Sequence, residues 1–235
     1  MLKFLTEGHT IKLWPFFIFT PVEKHTTILL STAYLPPVAY FALLDRTGQA
    51  MIEQYETYQK QTYRNRCEIY TEKGEMALSI PVSKPDGNHT KTKDILIFNE
   101  DKWYKKHWRA IETAYLSAPF FIYYKDEIEP FFQKPYEQLL DFNLQLTKLF
   151  CRITGIETTI TLTEDYIKTP ENTLDYRAAL TPKKQLNFIG NFPEYTQVFD
   201  TKHGFIPNLS ILDLLFNMGP DSYDYISALS DQIRS

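Results

Sequence analysis

The sequence predicts an α/β (or α+β) single domain: an N-terminal strand–helix–strand unit, a β-hairpin, and two long helices packed on a mixed sheet. Three observations carry this. Between Ile28 and Tyr55 a buried-strand run, a helical spacing and a second strand run follow one another within about 30 residues, the order of a βαβ start. From Arg66 to Val82 apolar residues alternate on both sides of a Lys73-Gly74 turn, as in a hairpin. Two amphipathic stretches of helix length then follow, and no repeat, low-complexity tract or linker divides the chain. The expected boundaries are an N-terminal extension over 1–26, the domain over 27–222 and a C-terminal tail over 223–235.

Taken in order, ILLST at 28–32 reads as a buried strand. VAYFALLD places Val38, Phe41 and Leu44 on one side of a helix that Gly48 stops, and MIEQY at 51–55 alternates like a strand. In an open α/β sheet ligands bind beyond the carboxyl ends of the strands, so the loops holding Tyr34 and residues 55–66 are expected to face one crevice. After the hairpin comes the polar loop KPDGNHTKTKD and the short strand ILIF at 95–98. A helix is predicted from about 101 to 117, capped by Asn99 or Asp101 and ended by Pro119, with Trp103, His107, Ile111 and Ala114 on one face. A second runs from Pro135 to about Thr154, closed by Gly155. TTITL at 158–162 and Tyr195–Phe199 read as strands, and PNLSILDLLFNMGP as a C-terminal helix ended by Gly219-Pro220.

Composition narrows the function classes. The 235 residues carry a formal net charge of -4, and no long tract is uniformly basic, which argues against a nucleic-acid partner. WPFFIFTPV at 14–22 is apolar but spans only nine residues and holds two prolines, too little for a membrane span. The two cysteines, Cys67 and Cys151, lack CxxC or Cys/His spacing and read as buried thiols of a cytoplasmic protein. No intrinsic metal site and no cofactor motif is found: GxGxxG, the P-loop, HExxH and GxSxG are all missing.

The chemistry therefore rests on weaker constellations. QKQTYRNRC at 59–67 crowds Lys60, Asn65 and Arg66 at the mouth of the first hairpin strand. A point charge, an amide and a planar guanidinium together suit a phosphate or carboxylate, so an anionic small-molecule substrate is expected there. His107, whose ordinary pKa suits neutral pH, is the candidate proton carrier. Tyr34 and Trp108 are candidates for substrate binding. Arg177 and Lys183, in the polar stretch DYRAALTPKK, are further substrate-binding candidates. Asp213 sits in an apolar helix three residues after Ser210, the spacing of a capping box.

TAYLPPVAYFALL, TYRNRCEI with Lys60 ahead of it, IPV at 80–82, WYKKHWRAIETAYLSAPFF and GFIPNLSILDLLFNMGP together resemble the WbqC-like proteins over residues 28–220. That family usually shows Gln-Pro before the Tyr-Leu-Pro element, a Trp after it and an Asp in the second strand. Here Thr32-Ala33, Pro37 and Glu53-Gln54 stand instead. The resemblance implies a bacterial protein of surface-polysaccharide (O-antigen type) precursor metabolism. On that footing the expected activity is that of a transferase-like enzyme acting on an anionic sugar or acyl donor. The alternative is a non-catalytic binding or scaffold protein of the same pathway, resting on 16 tyrosines and 17 phenylalanines.

Overall fold

The computed structural model describes residues 27–182 and 186–233; the N-terminal extension over 1–26 lies outside them. The βαβ start forms as expected. β1 (Thr27–Ser31) and β2 (Gln49–Glu53) pair in parallel, Ile28 opposite Ala50 and Ser31 opposite Glu53, with α1 (Val38–Thr47) as the crossover. Ile28, Leu29 and Leu30 are fully buried. A continuous apolar run of this kind marks a strand covered on both faces, as parallel sheets require.

The hairpin follows with β3 (Arg66–Thr71) and β4 (Gly74–Ser79), Thr71 pairing Gly74 around a Glu72-Lys73 loop. It ends at Ser79 rather than Val82, because Pro81 has no N–H to extend the ladder. β5 (Val82–Ser83) turns away to pair with β6 (Leu96–Ile97), separated by two 3₁₀ turns in the polar loop. Then come α2 (Trp103–Tyr115), α3 (Phe121–Ile128) and α4 (Leu139–Thr154). β7 (Thr159–Leu162) and β8 (Thr173–Asp175) complete one four-stranded sheet of order β7-β2-β1-β8, parallel throughout. The predicted mixture of directions is thus shared between this sheet and two separate antiparallel ladders. α5 (Asp200–His203), α6 (Ile211–Met218) and α7 (Ser222–Asp231) close the chain.

Five further points differ from the sequence reading. α2 starts at Trp103, after Lys102 in the left-handed region; Asn99 instead uses its amide on the carbonyls of Ile97 and Tyr136 and accepts from the Trp103 indole. α4 starts at Leu139, four residues beyond Pro135. Tyr195–Phe199 is no strand: the Gln197 side chain bonds both the N–H and the C=O of Ile206, taking the place of a ladder. The fourth strand is β8, only three residues long, too short to show alternation in a polar stretch. Beyond residue 223 the chain is not a tail but α7, whose Ile226 and Leu229 are fully buried and which packs along α1.

The turn from α6 to α7 depends on Gly219, at φ 57° and ψ -123°, where an added Cβ would stand 2.4 Å from the Phe120 ring. Gly155, the αL cap of α4 at φ 78°, has open space around its Cβ position. Gly219→Ala is therefore expected to cost about 3 kcal/mol of unfolding free energy, against about 1 kcal/mol for Gly155→Ala. Urea denaturation of both variants measures the difference.

Candidate functional site

The segment from the end of β2 to the start of β3 is unusually well anchored. The Arg64 guanidinium, almost wholly buried, donates from Nε and Nη2 to the two Glu56 carboxylate oxygens at 2.9 and 2.7 Å. It also donates to Thr62 Oγ1 at 3.1 Å and to Ser31 Oγ, at the end of β1, at 2.7 Å. The Arg64 carbonyl accepts from Asn143 of α4 at 2.8 Å, and the Tyr63 carbonyl from the Tyr34 N–H at 2.8 Å. A buried ion pair holds only when its geometry is good and its remaining donors are satisfied; both conditions are met here.

This anchored segment presents Lys60, Asn65 and Arg66 to one cavity of about 490 Å³. Asn65 is locked by two bonds to Ile80, its carbonyl accepting the Ile80 N–H and its amide donating to the Ile80 carbonyl, both at 2.8 Å. The cavity is closed by Ser79–Val82 and by Lys84, which sequence reasoning left in the polar loop. Lys84 reaches the pocket because β5 folds back on β6, a pairing of two residues with no legible alternation. Among the described residues no carboxylate lines the cavity. Partial loss of water and then the neighbouring Lys60 hold the Lys84 ammonium below its ordinary pKa, the mark of two cations sharing a space without a counter-ion.

Arg66 lines this cavity and pairs with a carboxylate of the next. Its Nη2 donates to Glu68 Oε1 at 3.0 Å, and Glu68 Oε2 accepts from the Tyr63 hydroxyl at 3.4 Å. Glu68 and Tyr63 line a separate cleft of about 940 Å³, shared with Glu75 and with the Phe205–Leu209 segment. Burial, and then the charge of Glu75, push the Glu68 carboxyl above the usual carboxylate range, with Arg66 opposing. Neither glutamate was singled out from the sequence. The alternation of the hairpin places Arg66 and Glu68 on one face, which is the signal that could have found them.

The remaining predicted residues lie elsewhere. The Tyr34 hydroxyl, fully buried, and His107 Nδ1 hydrogen-bond at 2.8 Å; the histidine ring also bonds the Ser79 backbone and packs edge-on against Trp103. Burial lowers the His107 pKa to about 4, with the Ser79 bond opposing. Trp108 is buried and stacks with Phe121 and with Phe132. Arg177 stands at the carboxyl end of the parallel sheet, pairing with Glu53 at 3.3 Å and with Asp175 at 2.7 Å. Glu53, fully buried, also accepts from the N–H groups of Tyr55 and Ile167 and from Thr163 Oγ1. Beside Arg177 and Arg64 only about 10 Å³ remains open, room for about one water. Among the described residues the strand ends are thus occupied by the protein's own ion pairs, and the cationic pocket opens on the hairpin side. Lys183 lies outside the described residues. Among the described residues no group of three or more His, Cys, Asp or Glu side chains is placed to hold a metal ion.

The sequence model of the WbqC-like protein family matches residues 32–187 and 181–225, from the turn after β1 through the anchored segment and the hairpin to the first turn of α7. The chain belongs to the WbqC-like protein family. A family relative from Mycobacterium tuberculosis, itself described as uncharacterized, is 29% identical over 222 residues, spanning 84% of this chain and 96% of its own. No solved structure matches the chain. Among the described residues no helix is long and apolar enough to cross a membrane.

Within the second matched segment, Ser210 caps α6 by accepting from the Leu212 N–H, as its spacing predicts. Asp213 does not return the bond: the Ser210 N–H goes to the Glu68 carbonyl, and the Asp213 carboxylate accepts from the Tyr195 hydroxyl at 2.7 Å and from Gln197 Nε2 at 2.8 Å. Burial raises its pKa to about 6, with these bonds opposing. It ties the 195–206 loop to the core beneath the hairpin.

A depressed histidine pKa predicts a pH dependence of stability. His107 titrates near 4 when folded and near 6.5 when unfolded, so between these values the unfolded chain binds more protons. The contribution of neutral His107 is whole above pH 6.5 and is lost as pH falls toward 4, by on the order of 3 kcal/mol. In His107→Gln this acid-side loss should vanish, so that variant and wild type differ less at pH 4 than at pH 7. Urea titrations at both values measure it.

Proposed function

We propose that the protein is a transferase-like enzyme of bacterial surface-polysaccharide precursor metabolism, working in the cytoplasm on an activated sugar or acyl donor. The observation that carries this is the cationic cavity: Lys60, Lys84, Asn65 and Arg66 converge on one concave space without a carboxylate. An anionic group entering it would relieve the Lys60–Lys84 repulsion and meet donors already held in place by the Ile80 bonds and the Glu56–Arg64 anchor. The surface-polysaccharide context comes from what is implied by membership of the family.

Proton transfer is better placed on Glu68 than on His107. Both sides of the histidine ring are engaged inside the core, and at neutral pH it is uncharged. Glu68 faces the larger cleft and shares Arg66 with the anion pocket, so a donor held on one side of the guanidinium and an acceptor hydroxyl or amine in the cleft would meet at Glu68. The carboxylate would take the acceptor's proton as the acceptor oxygen or nitrogen attacks the donor carbon, the phosphate or acyl carrier leaving with the bonding electron pair. In this reading Tyr34 and His107 lie behind the pocket, His107 bonded to Ser79 of its lining, Trp108 belongs to the core, and Arg177 braces the strand ends.

A binding or scaffold role finds support in Leu116, Ile122 and Tyr123, apolar side chains 70%, 67% and 72% exposed. Thermal denaturation against a panel of nucleotide sugars, sugar phosphates and acyl carriers separates the two readings. The enzyme reading predicts a ligand that raises Tm, with the shift lost in Lys60→Ala and Arg66→Ala and kept in Glu68→Gln. Glu68→Gln should lower turnover of that ligand at least 100-fold. A panel without any shift, or a shift indifferent to Lys60 and Arg66, would contradict it.

A further inference from the structure

A further cavity, of about 1070 Å³, runs between α2 and the tip of the β3–β4 hairpin. Its floor is apolar, made by Met76, Ala110, Ala114, Leu116 and Phe199. Cations gather along it: Lys102, Lys105, Lys106 and Arg109 from the start of α2, and Lys73 from the hairpin loop. Two carboxylates share the lining, Glu72 and Asp101, and Asp101 is taken by Lys106 at 2.8 Å. Among the described residues Lys102, Lys105 and Arg109 enter no ion pair.

The arrangement runs against ordinary helix electrostatics. The first turn of α2 holds no acidic residue and its N-cap, Lys102 at φ 49°, gives no side-chain cap, so the lysines stand together at the positive end of the helix. Like charges there repel one another and the dipole alike, and an anion relieves both. Toward the other end the same wall turns apolar. From Lys105 to Leu116 a helix rises about 16 Å, so the cationic and apolar parts lie in series along one groove.

The geometry points to a single-chain anionic amphiphile as the occupant, an alkyl phosphate or fatty carboxylate with its head at Lys102, Lys105 and Arg109 and its chain along Ala110, Ala114 and Leu116. Charge complementarity selects the head, and the apolar floor selects a tail over a bare anion. The volume lies at the upper end of small-molecule clefts, which favours a lipid-sized ligand over a protein partner. The concave shape favours one detached molecule over a bilayer surface. This site is separate from the Lys60–Arg66 pocket and stands or falls without it.

Decyl phosphate, below its micelle concentration, is the probe for isothermal titration of the full chain, with inorganic phosphate and neutral decyl maltoside as comparisons. One saturable site for decyl phosphate is expected, weakened at least tenfold in Lys105→Glu/Arg109→Glu and in Thr113→Trp, which fills the groove from an exposed position. Lys60→Ala/Arg66→Ala should leave it unchanged, so loss of the proposed activity and loss of this site are told apart. The site is overturned if decyl phosphate does not saturate, if either groove variant binds as wild type while keeping its Tm, or if inorganic phosphate or decyl maltoside binds equally well. Co-sedimentation with phosphatidylserine vesicles that decyl phosphate does not compete would also overturn it, pointing to a membrane surface.

Discussion

The buried Glu56–Arg64 pair governs where everything else can sit. Between the end of β2 and the start of β3 the chain forms no helix or strand of its own, and its first residues bond through the backbone to residues 90–93. Arg64 ties the rest of the segment down by joining Glu56, Thr62 and Ser31, while Asn143 holds its carbonyl from α4. Losing either partner would strand a charge out of water, so the pair constrains the segment even if its net contribution to stability is small. Held in this way, the next two residues, Asn65 and Arg66, point at Ile80 and at Glu68 rather than at solvent.

One consequence is a displaced site. Open α/β sheets usually receive ligands beyond their strand ends, yet here Glu53, Arg177 and Asp175 close that edge with ion pairs and hydrogen bonds. These groups have the residue types of a binding site and the geometry of a brace. The cationic cavity opens on the side of the hairpin, where Lys60 and Lys84 face each other and Arg66 pairs with Glu68 of the acidic cleft.

What could be read from the sequence followed the length and regularity of each signal. The β1–α1–β2 unit, the hairpin, α2, α4 and α6 all have periodic apolar faces, and all form. β8 has three residues, α5 has four, and the β5–β6 ladder two a side, so none offers a period to detect. The grouping of Lys60, Asn65 and Arg66 was legible because seven residues of chain carry it. Lys84 was not, since only the fold-back of β5 brings it across. His107 and Trp108 illustrate the opposite difficulty: an imidazole and an indole on the inner face of a helix look the same in sequence whether they meet a ligand or Tyr34, Phe121 and Phe132.

Anomalous diffraction from crystals soaked in selenate addresses the cationic pocket most directly, since selenate is a phosphate-sized anion whose position is read without assumption. A selenium peak between Lys60 and Lys84, within hydrogen-bonding reach of Asn65 or Arg66, is the result the structure predicts. Selenate bound elsewhere with that cavity empty would contradict the assignment, showing the four side chains to be a solvated surface rather than a receptor for an anion.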